Sequence, residues 1–152
     1  NDLQREELPM KNQFIAGGQL DMDLVMKKFY EYYTSLYSDK DERFIENYGR
    51  KIFLMYLRPI INGTGNFYVE DGSRSKMRTD IIVDYRGRQY LVECKIWRGE
   101  AYNQRGERQL ADYLDAYGAD RGYLLSFNFN KNKKAGIKEI ACGGKRILEV
   151  VV

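Results

Sequence analysis

The chain contains no histidine. That absence excludes Ser-His-Asp and Cys-His catalysis, histidine-ligated zinc and histidine general bases. Cysteine is almost as scarce. Cys94 and Cys142 lack the paired spacing of a zinc site. Reduced thiols are expected of them, in keeping with a cytoplasmic protein. No apolar stretch approaches the roughly 20 residues that span a bilayer, and no signal peptide is visible. No membrane association is therefore expected. Asn62-Gly63-Thr64-Gly65 is not followed by Gly-Lys-Ser or Gly-Lys-Thr, so it is not a P-loop. Any chemistry falls to carboxylates, lysine, tyrosine, or a metal ion held by oxygen ligands.

What is present is enough for one domain with a real core: 152 residues, 43% hydrophobic and 31% charged. Tyrosine is abundant at 13 residues. The formal net charge is +3, but acids outnumber bases in residues 1–46 and bases dominate residues 121–146. The basic C-terminal portion is compatible with a polyanionic partner. The chain starts at Asn1, which suggests a piece of something longer.

Residues 1–19 read as a linker. Asp21 or Asp23 is placed to cap a helix reaching about Tyr37, with Leu24, Val25, Phe29, Tyr32, Tyr33 and Leu36 on its apolar face. A second helix is expected from about Glu42 to Leu57, with Ile45, Tyr48, Ile52, Met55 and Tyr56 as its apolar face and Pro59 limiting it. A strand is expected near Phe67–Glu70, then a hairpin of Met77–Tyr85 and Gln89–Ile96. Residues 97–106 read as irregular, and a third helix as Glu107–Tyr117 with Gly118 as its stop. Gly122–Phe127 reads as a buried strand. Ile137–Ala141 and Arg146–Val152 read as a final hairpin around Gly143-Gly144. This order predicts an α/β fold with a mixed sheet flanked by helices.

One pair of strands carries chemistry. If Met77–Tyr85 and Gln89–Ile96 fold back around Arg86-Gly87, Asp80 and Glu93 lie equally far from the turn. They would then oppose each other, roughly 5 Å apart at Cβ. Lys95 projects from the same face as Glu93. Opposed carboxylates repel unless a cation intervenes. Two carboxylates and an ammonium therefore suggest a divalent metal site that cuts phosphodiesters. Gln109 and Tyr113, four apart on the third helix, share a face.

With these residues in view, the chain resembles the PD-(D/E)xK nuclease superfamily. Asp80 matches the first acid, Glu93-Cys94-Lys95 the ExK signature, and Gln109 to Tyr113 the QxxxY motif of RecB-like and lambda-exonuclease-like members. The stretches YGRKIFLMYLRPIINGTGNFYVE, RTDIIVDYRG and VECKIWRGEAYNQRGERQL are similar to nuclease-like domains at the C-terminus of bacterial AAA-type ATPase-like proteins. Thr79, rather than proline, precedes Asp80. The resemblance implies a restriction-endonuclease-like fold and Mg²⁺- or Mn²⁺-dependent hydrolysis of DNA. Asp80, Glu93 and the Cys94 carbonyl would hold the metal, with Glu46 (or Glu42) completing the site. Lys95 would assist the water, and Gln109 and Tyr113 would support the site or the DNA. Residues 1–40 would be a linker and helix, 41–152 the nuclease-like domain, and an ATPase-like region would lie upstream in the same polypeptide. The alternative is a silent nuclease-like module that binds DNA or docks a protein. The Cys94 side chain is expected on the opposite face, in the core.

Trp97, Arg98, Arg105 and Arg108 are the candidate nucleic-acid contacts, by stacking and phosphate binding. Lys131, Lys133 and Lys134 could reach DNA backbone from the loop at 128–136.

Overall fold

A computed structural model describes residues 13–36, 46–70 and 81–152. Asp80 and Glu42 lie outside them, as does the side chain of Glu46. Two short strands, β1 (Ile15–Ala16) and β2 (Gln19–Leu20), pair around Gly17-Gly18. Helix α1 (Met22–Leu36) follows. Its cap is Asp21, whose Oδ1 accepts the Leu24 N–H at 3.1 Å. The buried face is Met22, Val25, Met26, Phe29 and Tyr33. Tyr32 and Leu36, expected inside, are exposed.

Helix α2 (Glu46–Ile61) runs past Pro59; its expected start at about Glu42 lies outside the described residues. A proline inside a helix costs about 3 kcal/mol. Burying the two isoleucines beyond it, Ile60 and Ile61, returns roughly 1.5–3 kcal/mol each, so the helix continues. Its buried face is Phe53, Leu57, Ile60 and Ile61, while Tyr48 and Met55 are exposed. Phe53 meets Phe29 edge-on at 5.2 Å. Gly49 passes so close to the sheet that a Cβ there would run into the Phe127 ring.

The sheet is six-stranded and mixed, in the order β3-β4-β5-β6-β8-β7. Its strands are β3 (Gly65–Val69), β4 (Ile81–Tyr85), β5 (Arg88–Ile96), β6 (Arg121–Phe127), β7 (Gly136–Cys142) and β8 (Lys145–Val151). β3, β4 and β5 are antiparallel; β5, β6 and β8 are parallel; β7 returns antiparallel to β8. The β4–β5 turn is Arg86-Gly87, with φ of 50° and 80°. Positive φ at both central residues suits the strand twist, even with arginine in the first place. The register runs from Tyr85↔Arg88 to Ile81↔Val92.

Side chains alternate across the sheet. Val92, Cys94, Tyr123, Leu125, Phe127, Leu148 and Val150 face the core beneath α1 and α2. Leu91, Leu124 and Ile147 face helix α3 (Glu100–Ala116). Helix α3 begins a full two turns before the expected start. Its first turn has no side-chain cap, only Gly99 at φ 98°, and Gly106 weakens the helical pattern. Its end is as expected. Gly118 (φ 66°) donates to the Asp115 carbonyl at 3.0 Å, and Ala119 to that of Leu114 at 2.8 Å, the two bonds of a Schellman stop. Among the described residues no helix is long and apolar enough to cross a membrane.

A ring of polar contacts joins α1 to the far end of the sheet. Arg121 donates to Asp23 (NH2 to Oδ2, 2.6 Å) and to Glu139 on β7. The Tyr123 hydroxyl donates to Asp23 Oδ1 at 2.6 Å. Burial alone would raise the Asp23 carboxyl, but the hydrogen bonds from Arg121 and Tyr123 outweigh it and hold the group below its usual value.

Candidate metal and phosphate site

Alternation from Leu91 puts Glu93 and Lys95 on the α3 face of β5, and Cys94 on the other, 2% exposed in the core. Lys95 Nζ lies 3.5 Å from Glu93 Oε1, and both side chains are largely buried. Lys95 passes beneath α3. Its ammonium sits 4.8 Å from the Tyr102 ring centre. A Cβ at Gly106 would lie 2.9 Å from Nζ. The glycine that weakens the helix is the residue that leaves room for the lysine.

Tyr102, Gly106, Gln109 and Tyr113 follow one another at helical spacing on a single stripe of α3. Tyr102 and Gly106 touch Lys95, so the stripe faces the β5 side. Gln109 on it is exposed and Tyr113 is buried. The Tyr113 hydroxyl donates to Glu70 Oε2 at 3.1 Å, and its ring stacks on Tyr117 at 4.9 Å. Burial first, then its bonds to Tyr117 and Glu70, push the Tyr113 phenol well above its ordinary value. Glu70 was not singled out from the sequence. It follows Val69, and Glu93 follows Val92; these are the two residues that flank Ile81 in the sheet.

Of the candidate nucleic-acid contacts, Arg98 and Arg105 gather at Tyr102, their guanidinium carbons 5.7 Å and 5.9 Å from its centroid. Arg108 lies instead toward β7, near enough to bear on the Cys142 thiol. Trp97, whose backbone N–H donates to the Phe127 carbonyl at 2.8 Å, lines a separate groove of about 540 Å³ with Asn128, Lys133, Lys138, Glu107 and Glu149. Lys134 lines the same groove, and Lys131 is exposed.

The groove holds an acid pair that the sequence reading also missed. Glu149 sits in the same row of the sheet as Glu93, separated by Leu124, or about 10 Å at two strand spacings. Asn103 donates to Glu149 at 3.0 Å and to Glu107 at 3.1 Å. Burial, then the neighbouring Glu149, raises the Glu107 carboxyl. A carboxyl raised in the folded state favours folding at low pH, and that advantage is lost as pH rises through the raised value. As pH rises above the ordinary carboxylate value, about 4, the melting temperature of the wild type should therefore decline more steeply than that of Glu107→Gln. Parallel melting curves against pH would show that the Glu107 carboxyl is not raised in the folded chain. The available signal was Glu149 itself, a lone acid in the apolar run ILEVV.

Among the described residues no group of three or more acidic, histidine or cysteine side chains stands close enough to hold a metal ion. Glu93 is the only acid of the expected metal set whose side chain is described. Its donor chemistry suits a hard cation: it offers carboxylate oxygen, and the Cys94 thiol is turned to the other face. No protein-family model matches the chain, and comparison with curated proteins finds no match. The arrangement at β5 and α3 is a largely buried Glu93–Lys95 pair, a helix stripe over it on which Gln109 is exposed, and two exposed arginines beside it.

Proposed function

We propose that this chain is a restriction-endonuclease-like domain of the PD-(D/E)xK kind, hydrolysing DNA phosphodiesters with Mg²⁺ or Mn²⁺. The observation that carries the reading is the hairpin register. Five described pairs run from the Arg86-Gly87 turn to Ile81↔Val92. One further pair in the same register would oppose Asp80 and Glu93 on the face that carries Lys95. The mixed sheet, with α2 before the hairpin and α3 after β5, supports the same reading.

A divalent ion held by Asp80, Glu93, the Cys94 carbonyl and Glu46 would offset phosphate charge and acidify a water. The chain's own groups do the rest. Lys95 Nζ donates to a phosphoryl oxygen and balances the charge that develops there. Gly106 leaves that ammonium its space. Tyr113 holds Glu70 at the margin of the site, and exposed Gln109 meets the incoming strand. An ATPase-like region in the same polypeptide would deliver the DNA.

The test is incubation with linear and circular DNA. Cleavage is expected with Mg²⁺ or Mn²⁺ and none after chelation with EDTA. An absence of both cleavage and calorimetric metal binding would overturn the reading in favour of a nuclease-like docking module.

A further inference from the structure

Tyr102 gathers three cations around one ring. Lys95 Nζ, Arg98 Cζ and Arg105 Cζ lie 4.8, 5.7 and 5.9 Å from its centroid, all inside the reach of a cation–π contact, about 6 Å. They come from three places in the chain: the end of β5, the link that follows it, and the second turn of α3. An aromatic face attracts a cation, but three cations at one ring repel one another. Lys95 has Glu93 at 3.5 Å to offset its charge. Among the described residues no carboxylate lies within ion-pair distance of Arg98 or Arg105. Both arginines are exposed, and Tyr102 is half-buried beneath them.

Such a cluster is stabilised by an anion that accepts from several donors at once. The guanidinium fork matches two oxygens of a phosphate, and stacking on an aromatic ring fixes its plane beforehand. The geometry points to a phosphate subsite built by Arg98 and Arg105 on the Tyr102 ring, adjoining Lys95. Its ligand is a phosphodiester of the nucleic-acid strand, next to the one at Glu93. Tyr102 is a positioning residue, since it acts by holding the arginines. The subsite's place beside the reacting centre rests on the nuclease reading, but its binding step needs no metal.

The experiment measures binding of a fluorescent single-stranded oligodeoxynucleotide in EDTA across a salt series, with inorganic phosphate as competitor. Arg98→Gln and Arg105→Gln should each weaken binding about tenfold and lower the slope of log K against log salt by about 1. Tyr102→Phe keeps the ring and should bind as wild type; Tyr102→Leu should lose affinity as the arginine variants do. Thermal melting checks the fold of each variant. If Tyr102→Leu does not fold, the exposed arginine variants and Tyr102→Phe decide. Unchanged affinity and slope in both arginine variants would overturn the subsite. Displacement by inorganic phosphate as readily as by an equal concentration of unlabelled strand would overturn its assignment to a strand. Reduced slopes with neither metal-dependent cleavage nor metal binding would keep the subsite and remove the nuclease reading; cleavage with unchanged slopes would do the reverse.

Discussion

Glu93→Gln is expected to lower metal-dependent DNA cleavage about a thousandfold, and Gly106→Ala about a hundredfold, with the chain folded in both cases. Glutamine keeps the shape of Glu93 and can still accept from Lys95, so the buried ammonium is not left alone. What it loses is the charge a divalent cation needs. Gly106→Ala tests position instead. The new methyl would lie 2.9 Å from Lys95 Nζ and 3.1 Å from Cε. Those atoms are the far end of a flexible side chain, so they give way rather than the helix. Alanine in a helix interior is favoured over glycine by about 1 kcal/mol. Stability should therefore hold or rise slightly while cleavage falls. Full activity in Gly106→Ala would show that the placement of Lys95 does not matter to the reaction. Full activity in Glu93→Gln would remove the site altogether.

The second large effect is on stability, at the opposite end of the sheet. Arg121→Gln should lower the melting temperature by about 4–8 °C, equivalent to about 2 kcal/mol in a chain of this size. The Arg121 side chain is 13% exposed, and those of its partners Asp23 and Glu139 are 38% and 50% exposed. Solvent screening at the carboxylates keeps the loss below that of a fully buried pair. The pH dependence follows from the lowered Asp23 carboxyl. Its contribution is complete above the ordinary carboxylate value and is lost as pH falls through the lower folded value. The gap between wild type and variant should thus narrow below about pH 4. A gap of constant size into acid would place the effect in packing rather than in the Asp23 pair.

The hairpin was legible because its information is local. Arg86-Gly87 sets the turn, and alternation in IIVDY and QYLVECKI sets the faces. The stop of α3 was legible for the same reason, from Gly118. The start of α3 was not. Gly106 and the uncapped Gly99 both weaken the helical signal, and the reason for Gly106 lies on another strand, at Lys95. Helix faces were misjudged where periodicity alone had to choose. Tyr48 and Met55 fit an apolar stripe on α2, yet Phe53 and Leu57 are the buried residues there; on α1 the expected Val25, Phe29 and Tyr33 are buried, while Tyr32 and Leu36 are exposed. Glu70 and Glu149 escaped notice because their partners are distant in sequence, and Glu107 because the Glu149 it adjoins is. Glu70 meets Tyr113, and Glu149 meets Asn103, only once β3 and β8 take their places.

Strand β5 also has a bearing on how the site can be controlled. It is bonded on both sides, antiparallel to β4 and parallel to β6, whereas β3 and β7 end the described sheet. Backbone amides in a doubly bonded central strand exchange with solvent only through openings that approach global unfolding, while edge strands fray at little cost. Glu93 and Lys95 therefore stand on one of the last segments to open. Local melting is unavailable as a switch at this site. Control has to come from what is allowed to reach the α3 face.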